Sequence, residues 1–146
     1  MKIAVACDHR GYEAKRRLLP VLKSAEHHIH DFGCDSPAAC DYPDFAVPAC
    51  RSIVKGENEI GILLDGTGIG MSVAANKVRG VRAALVHDEV TARTAREKNH
   101  CNVLCLGTDL LSEEQVRQIV EIFLITPWTD GRHTARVKKV MEIEKD

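Results

Sequence analysis

The sequence has few aromatic residues and no long apolar run. Phe, Trp and Tyr make up 4% of its 146 residues, whereas hydrophobic residues make up 45% and charged residues 28%. This is an ordinary globular composition, and it argues against a disordered chain. Every apolar run is far shorter than the roughly 20 residues that a membrane-spanning helix needs. We therefore expect no interaction with a membrane.

An excess of charge of one sign is also missing. The 20 Lys and Arg residues nearly balance the 21 Asp and Glu residues, which leaves a formal net charge of −1. Such a balance provides no broad positive field for a polyanion. We expect no nucleic-acid partner, and a bound anion would need a local site.

Signs of secretion are lacking as well. The first residues reach Asp8 too early for a signal peptide. A chain of this length can build a core without disulfides, so the cysteines are interpreted as free, mostly buried thiols. Both features predict a cytoplasmic protein. The six cysteines are Cys7, Cys34, Cys40, Cys50, Cys101 and Cys105.

Short aliphatic runs alternate with amphipathic stretches along the whole chain. We predict strands at 3–6, 29–32, 60–64, 83–86 and 103–106, and helices at 12–24, 45–55, 71–77, 88–98, 113–124 and 132–144. The third run is apolar on both faces, as a strand covered on both sides must be. The alternation predicts one domain over residues 1–146 with a Rossmann-like, three-layer α/β fold: a five-stranded parallel sheet with helices on both faces. Ligands in such folds bind at the carboxyl ends of the strands.

A glycine-rich turn follows the third predicted strand and leads into a helix. Glycines allow backbone N–H groups to converge, and the start of a helix adds partial positive charge. The G-x-G-x-G spacing differs from the dinucleotide motif, and the lysine of a P-loop is absent. The turn predicts an anion site, with tight packing of strand on helix as the alternative. It reads Asp65-Gly66-Thr67-Gly68-Ile69-Gly70.

Charged groups recur at two further places. Asp8, His9 and Arg10 follow the first predicted strand, where ligands are expected. Arg132 and Arg136 share one face of the last predicted helix, a spacing that suits a phosphate, although a solvated basic face is the alternative. The histidines near the start of the second strand lie away from the ligand edge, so we interpret them as surface residues and expect no metal site.

Short motifs occur in order over nearly the whole chain. Together they resemble the sugar-phosphate isomerase family that contains the B-type ribose-5-phosphate isomerases and the galactose-6-phosphate isomerase subunits. The motifs are Cys7-Asp8-His9-Arg10-Gly11, Asp41-Tyr42-Pro43, Gly66-Thr67-Gly68-Ile69-Gly70, Ala74-Ala75-Asn76-Lys77, Asn99 with Asn102-Val103, and Gly131-Arg132-His133 with Arg136.

The resemblance implies aldose–ketose isomerisation of a small sugar phosphate through a cis-enediolate, without a metal or organic cofactor. It also implies a homodimer, with a tetramer left open, whose active site takes residues from both chains. By the same resemblance, Asp8, His9 and Asn99 contact the sugar, and Arg132 and Arg136 bind the phosphate. The oxyanion would be held by Gly66, Thr67, Gly68, Ile69 and Gly70.

Three positions depart from the family pattern. Asp65 stands where the family commonly has a base cysteine, Lys98 where it has an acid histidine, and Asp109 where it usually has a basic residue. We predict that Asp65 is the catalytic base because burial would raise its pKa, although it could merely cap the turn. Lys98 is the second candidate catalytic side chain. We expect a salt bridge from Lys98 or Arg132 to neutralise Asp109.

The departures leave the substrate open. Ribose 5-phosphate is the family default, and a tetrose or hexose phosphate is the alternative, as is a non-catalytic subunit of a heteromeric isomerase. Lysine stays protonated at neutral pH and is poorly suited to opening a sugar ring. Lys98 therefore favours a short substrate such as a tetrose 4-phosphate, whose blocked terminal oxygen prevents furanose closure.

Overall fold

The computed structural model describes residues 1–146 and contains one sheet of five strands. The strand order is β2-β1-β3-β5-β4, and every neighbouring pair is parallel. This confirms the predicted parallel α/β fold. The strands are β1 (Lys2–Cys7), β2 (His28–Asp31), β3 (Ile60–Asp65), β4 (Ala83–Leu85) and β5 (Val103–Gly107).

Six helices alternate with the strands or follow them. They are α1 (Tyr12–Ser24), α2 (Pro43–Val54), α3 (Ile69–Asn76), α4 (Glu89–Glu97), α5 (Glu113–Ile125) and α6 (Arg132–Glu142), and a 3-10 turn follows at Ile143–Lys145. Helix α2 begins at Pro43, earlier than predicted, because proline is well tolerated in the first turn, where an N–H has no intrahelical acceptor. No helix is both long and apolar enough to cross a lipid bilayer.

Both faces of the sheet are covered by helices. On β1, Ile3 and Val5 pack into a core layer with α1, α4 and α5, whereas Ala4 and Ala6 pack into a second layer with α2 and α3. The same alternation continues along β3 and β5. Because helices cover both faces, ligands reach the sheet only where its strands begin or where they end. We call these two sides of the sheet its amino edge and its carboxyl edge.

Strand order and register bring three loops together at one of these edges. Cys7 at the end of β1 is paired with Leu64 of β3, and Asp65 is paired with Gly107 at the end of β5. The residues that follow β1, β3 and β5 are therefore spatial neighbours. The sequence before β5 enters the sheet at the opposite edge.

The six cysteines are free thiols, as predicted. Five are buried, and Cys40 is partly exposed. Burial raises the pKa of Cys50 to about 12 and that of Cys101 to about 11, so these thiols stay protonated at neutral pH. The cytoplasmic location inferred from the thiols remains a prediction.

A nearly buried lysine fixes the chain that leaves β2. The Lys15 side chain on α1 is 3% exposed, and its Nζ lies 2.7 Å from Asp31 Oδ1. The same Nζ donates to the Cys34 carbonyl oxygen at 2.7 Å. Asp31 Oδ1 also accepts a hydrogen bond from Gly33 N–H at 2.9 Å. This ion pair therefore ties α1 to the irregular segment between β2 and α2.

Replacing Asp31 by alanine would leave the Lys15 ammonium group buried with one carbonyl acceptor. We expect Asp31→Ala to lower the free energy of unfolding by roughly 2–3 kcal/mol, less than for a fully buried pair, because Asp31 is partly exposed. Urea denaturation measures this change. The control is Glu13→Ala, which removes an exposed pair with Arg16 and should cost about 0.5 kcal/mol or less. Equal losses in both variants would contradict the predicted role of Asp31.

Candidate active site

The glycine turn lies between β3 and α3 and is held against β5. Gly68 is the N-cap of α3 and has a φ of +80°, in the left-handed region that glycine adopts readily. A Cβ atom at Gly68 would overlap the Leu85 side chain and lie 3.1 Å from the Gly107 nitrogen. Only glycine fits this position without displacing the neighbouring strands.

Asp65 is a buried carboxylate at the start of this turn. Its Oδ1 accepts a hydrogen bond from Gly68 N–H at 2.5 Å, and its Oδ2 accepts one from Met71 N–H at 3.2 Å. Asp65 therefore caps the turn, which was one of the two roles expected from the sequence. Burial raises the pKa of Asp65, and the negative charges of Asp8 and Asp109 raise it further, against the lowering effect of the two N–H groups. A raised pKa makes the carboxylate a stronger base.

Three backbone N–H groups of the turn have no acceptor within the chain. They belong to Gly66, Thr67 and Gly70, whereas Ile69 N–H donates to Thr67 Oγ1 at 3.3 Å. Free N–H groups at the start of a helix are a ready site for an anion. The turn can therefore bind a negatively charged oxygen while Asp65 holds its shape.

The loop after β1 places Asp8 and His9 at the same edge. Asp8 is buried, and its Oδ1 accepts hydrogen bonds from Arg10 N–H at 2.9 Å and Gly11 N–H at 3.2 Å. His9 Nδ1 accepts a hydrogen bond from Cys40 N–H at 3.3 Å. In the neutral ring the proton is therefore on Nε2.

The loop after β5 completes this edge. Thr108 N–H donates to the Asp65 carbonyl oxygen at 2.8 Å, and Asp109 N–H donates to the Gly66 carbonyl oxygen at 3.0 Å. Asp109 Oδ2 accepts a hydrogen bond from Arg10 Nε at 2.7 Å and forms an ion pair with Arg10 Nη2 at 2.5 Å. The expected pairing of Asp109 with Lys98 or Arg132 is wrong within one chain, because those residues lie at the opposite edge.

The residues that meet at this edge form one group, which we call the strand-end cluster. The sequence places Arg10 in a motif but predicts no role for it. The opposite charges of Arg10 and Asp109 are the signal from which their ion pair could have been predicted. The cluster comprises Asp8, His9, Arg10, residues 65–70 and Asp109.

The remaining predicted site residues lie around a second feature, the basic groove. Its members are Lys98, Asn99, Arg132, His133 and Arg136. The groove has a volume of about 800 Å³ and runs beside β4; four of the five, all but Arg132, line it. The pKa of His133 is lowered by desolvation and by the positive charges of Arg132, Arg136 and Lys98. These cations therefore act on one small region.

The segment that leads into α6 contacts residues that precede β5, and these contacts position the start of α6 at the basic groove. The Trp128 ring stacks on His100 with 4.7 Å between ring centroids, and Thr129 N–H donates to the Glu97 carbonyl oxygen at 3.4 Å. Two asparagines of the motifs have structural roles nearby. Asn76 pairs with the main chain of Ala83, and Asn102 pairs with that of Gly80 and Arg82.

The strand-end cluster and the basic groove lie at opposite ends of β5. Lys98 and Asn99 precede β5, whereas Asp109 follows it. Five residues of parallel strand rise about 3.3 Å each, so the two ends are about 16 Å apart. One chain does not bring the two sets of predicted site residues together.

The chain is similar to known proteins over nearly its whole length. A family model described as Ribose/Galactose Isomerase matches residues 3–140. The chain belongs to the ribose/galactose isomerase family. A putative sugar phosphate isomerase of Bacillus subtilis is 40% identical over 146 residues, which cover 99% of this chain and 98% of that protein. The predicted family and its class of enzyme, the aldose–ketose isomerases, are confirmed.

Solved structures of this family agree with the fold in detail. Ribose-5-phosphate isomerase B of Clostridium thermocellum is 41% identical, with a TM-score of 0.98 over 99% of this chain and 98% of that chain. Ribose-5-phosphate isomerase B of Mycoplasma genitalium, solved with bound ribulose-5-phosphate, is 39% identical, with a TM-score of 0.95 over 99% of this chain and 97% of that chain.

The proton affinity of Asp65 is open to direct measurement. We expect its carboxyl to titrate above the ordinary aspartate range in an NMR titration of the 13C-labelled carboxyl groups, with Asp65→Asn identifying the signal. Asp109→Asn should lower the pKa of Asp65, because it removes a nearby negative charge and frees the Arg10 guanidinium. An unchanged or higher pKa in Asp109→Asn would refute the electrostatic coupling.

Proposed function

We propose that this protein interconverts ribose 5-phosphate and ribulose 5-phosphate through a cis-enediolate, with no metal or organic cofactor. One observation carries the proposal: a buried carboxylate with a raised pKa adjoins three N–H groups that have no acceptor. Ribose 5-phosphate is favoured because similar solved proteins are named ribose-5-phosphate isomerase B.

Asp65 is the proposed base. Its carboxylate removes the proton from C2 of the open-chain aldose, the C2 electrons form the C1–C2 double bond, and negative charge develops on O1. The same proton then returns from Asp65 to C1 while the O2 proton passes to O1, so that C2 becomes the carbonyl carbon of the ketose and O1 its terminal hydroxyl. Because each Asp65 oxygen accepts one hydrogen bond from an N–H group, a lone pair remains on each for this transfer.

The free N–H groups of the turn stabilise the charge on O1. Donors aligned with a developing oxyanion each contribute roughly 3–4 kcal/mol to transition-state stabilisation. The Thr67 hydroxyl is a further donor beside them. Gly66, Thr67 and Gly70 supply the unpartnered N–H groups, whereas those of Gly68 and Ile69 already have acceptors in the turn.

The active site is proposed to form between two copies of the chain. The strand-end cluster of one copy faces the basic groove of the other, so that Arg132 and Arg136 bind the phosphate and Asn99 and Lys98 contact the sugar oxygens. The opposite positions of the two sets on one chain support this arrangement. Exposed apolar side chains on α3, next to the glycine turn, also support it: Ile69 is 56% exposed and Val73 is 55% exposed.

A tetrose 4-phosphate is the second candidate substrate. It is favoured by Lys98, which replaces a ring-opening histidine of the family pattern. An open-chain substrate needs no ring opening, so Lys98 would serve only as a hydrogen-bond donor to the carbonyl oxygen.

Replacing Asp65 by asparagine should remove the base while keeping the shape of the side chain. We expect Asp65→Asn to lower kcat by roughly 10²–10⁴, the range usual for loss of a general base, with KM changed little. Coupled assays with aldose phosphates of four to six carbons measure both constants and rank the substrates.

The matched control is Asp35→Asn, an exposed carboxylate outside both clusters, which should retain wild-type kinetics. Normal turnover by Asp65→Asn would refute the assignment of the base. A purified chain that binds sugar phosphates but converts none of them would instead indicate a non-catalytic subunit.

A site shared between copies predicts complementation of inactive variants. Asp65→Asn and Arg136→Met each damage a different contribution to the same site. A dimer containing one chain of each variant has one site with both substitutions and one site with neither. Mixing the unfolded chains in equal amounts and refolding them should therefore restore about a quarter of wild-type activity. Activity no higher than the mean of the two variants would exclude the shared site.

A further inference from the structure

We propose that Arg10 is an additional substrate-binding residue and that Asp109 is the positioning residue that holds its guanidinium group at the glycine turn. This inference rests on the proposed function and adds a cation to the strand-end cluster of the site. The substrate group recognised is an anionic oxygen, on the phosphate or on the enediolate.

The geometry of the ion pair leaves much of the guanidinium group free. Arg10 Nε donates to Asp109 Oδ2 at 2.7 Å, and Arg10 Nη2 lies 2.5 Å from the same oxygen. A guanidinium group has five N–H bonds, and Nε–H is the only one of Arg10 that makes a hydrogen bond within the chain, so the others remain available. The Arg10 side chain is 59% exposed. The ion pair therefore orients the cation without saturating it.

Both partners are anchored through their main chains to the loops of the site. Arg10 N–H donates to Asp8 Oδ1 at 2.9 Å, and the Arg10 carbonyl oxygen accepts from Thr108 Oγ1 at 3.1 Å. Asp109 N–H donates to the Gly66 carbonyl oxygen at 3.0 Å. The pair thus connects the loops after β1, β3 and β5.

The ion pair lies directly against the anion-binding turn. A Cβ atom at Gly66 would be 2.8 Å from Asp109 Oδ2 and 2.9 Å from Arg10 Nε. Gly66 also carries one of the three unpartnered N–H groups. An anion held by these groups is therefore close to the free N–H bonds of Arg10.

The charge of the strand-end cluster favours a cation within the cluster itself. Asp8, Asp65 and Asp109 supply three carboxylates there, whereas Arg10 is the single Lys or Arg of the cluster. An anionic substrate would be repelled by these carboxylates unless a cation offset them. Asp109 has two opposed effects. Its own charge repels the anion, and its ion pair with Arg10 orients the guanidinium group toward the anion. The proposal states that the second effect is the larger.

The two effects predict opposite changes in KM, and this provides the test. Steady-state kinetics are measured with the best sugar phosphate of the wild type for Arg10→Met, Asp109→Asn and the double variant. We expect Arg10→Met to raise KM by about 10–100-fold with a much smaller change in kcat, as for loss of a hydrogen bond to a charged group. Asp109→Asn should raise KM several-fold. The double variant should be no worse than Arg10→Met, since Asp109 acts through Arg10.

Two controls exclude structural damage as the cause of the kinetic changes: a conservative variant of Asp109 and substitutions in a second ion pair. Asp109→Glu keeps the carboxylate and should recover most of the affinity lost in Asp109→Asn. The control pair is Glu114 and Arg117 on α5, an exposed ion pair of similar geometry. Glu114→Gln and Arg117→Met should leave KM unchanged. Thermal unfolding of all variants measures whether each is folded at the assay temperature, so that a changed KM can be separated from a loss of folding.

The possible failures are distinguishable. A lower or unchanged KM in Asp109→Asn, or additive effects in the double variant, would overturn the inference while leaving the proposed function intact. Calorimetric titration of the wild type with ribose 5-phosphate and erythrose 4-phosphate provides a binding measurement independent of turnover. A wild type that neither binds nor converts these sugar phosphates would overturn the proposed function and this inference together.

Discussion

The site depends on backbone N–H groups left without acceptors where β3 turns into α3. In a sheet covered on both faces, the main-chain polar groups of the strands pair with those of neighbouring strands. Unpaired N–H groups therefore concentrate positive potential at this turn. Asp65 accepts two neighbouring N–H groups and leaves three others free. One carboxylate thus maintains the shape of the turn and lies beside the N–H groups that we propose bind the enediolate oxygen.

Opposite charges are divided between the two edges of the sheet. Asp8, Asp65 and Asp109 lie at the carboxyl ends of β1, β3 and β5, whereas Lys98, Arg132 and Arg136 lie near the start of β5 and of α6. Within one copy these charges are too far apart to neutralise one another. In the proposed arrangement of two copies, each acidic edge would meet a basic groove. Electrostatic attraction would then favour the contact that also completes the site.

The fold could be predicted from the sequence because its signals are local. Four of the five strands are apolar runs, and helices α1 to α5 bury an apolar face, so their positions differ from prediction mostly at the ends. Strand order is a non-local property, and it brings the loops after β1 and β5 to either side of β3. For that reason the Arg10–Asp109 pair, 99 positions apart, was missed.

The sequence motifs suggested the members of the proposed site, but not where those members lie relative to one another. The motifs identified the glycine turn and both groups of charged residues. The two possible roles of Asp65, cap or base, could not be separated from the sequence, because its pKa depends on burial and on charges at positions 8 and 109. The opposite positions of Lys98 and Asp109 follow from the direction of α4, which returns the chain to the amino ends of the strands.

The segment between β2 and α2 contains no predicted site residue, yet its backbone acts on one. Cys40 donates its N–H group to His9 Nδ1, so the main chain at this point determines which ring nitrogen carries the proton. Any residue except proline supplies the same donor. Inserting or deleting one residue in the segment would move the donor away from the ring. The number of residues between β2 and α2 therefore positions both the Cys40 N–H group and the Cys40 Sγ atom against His9 Nδ1.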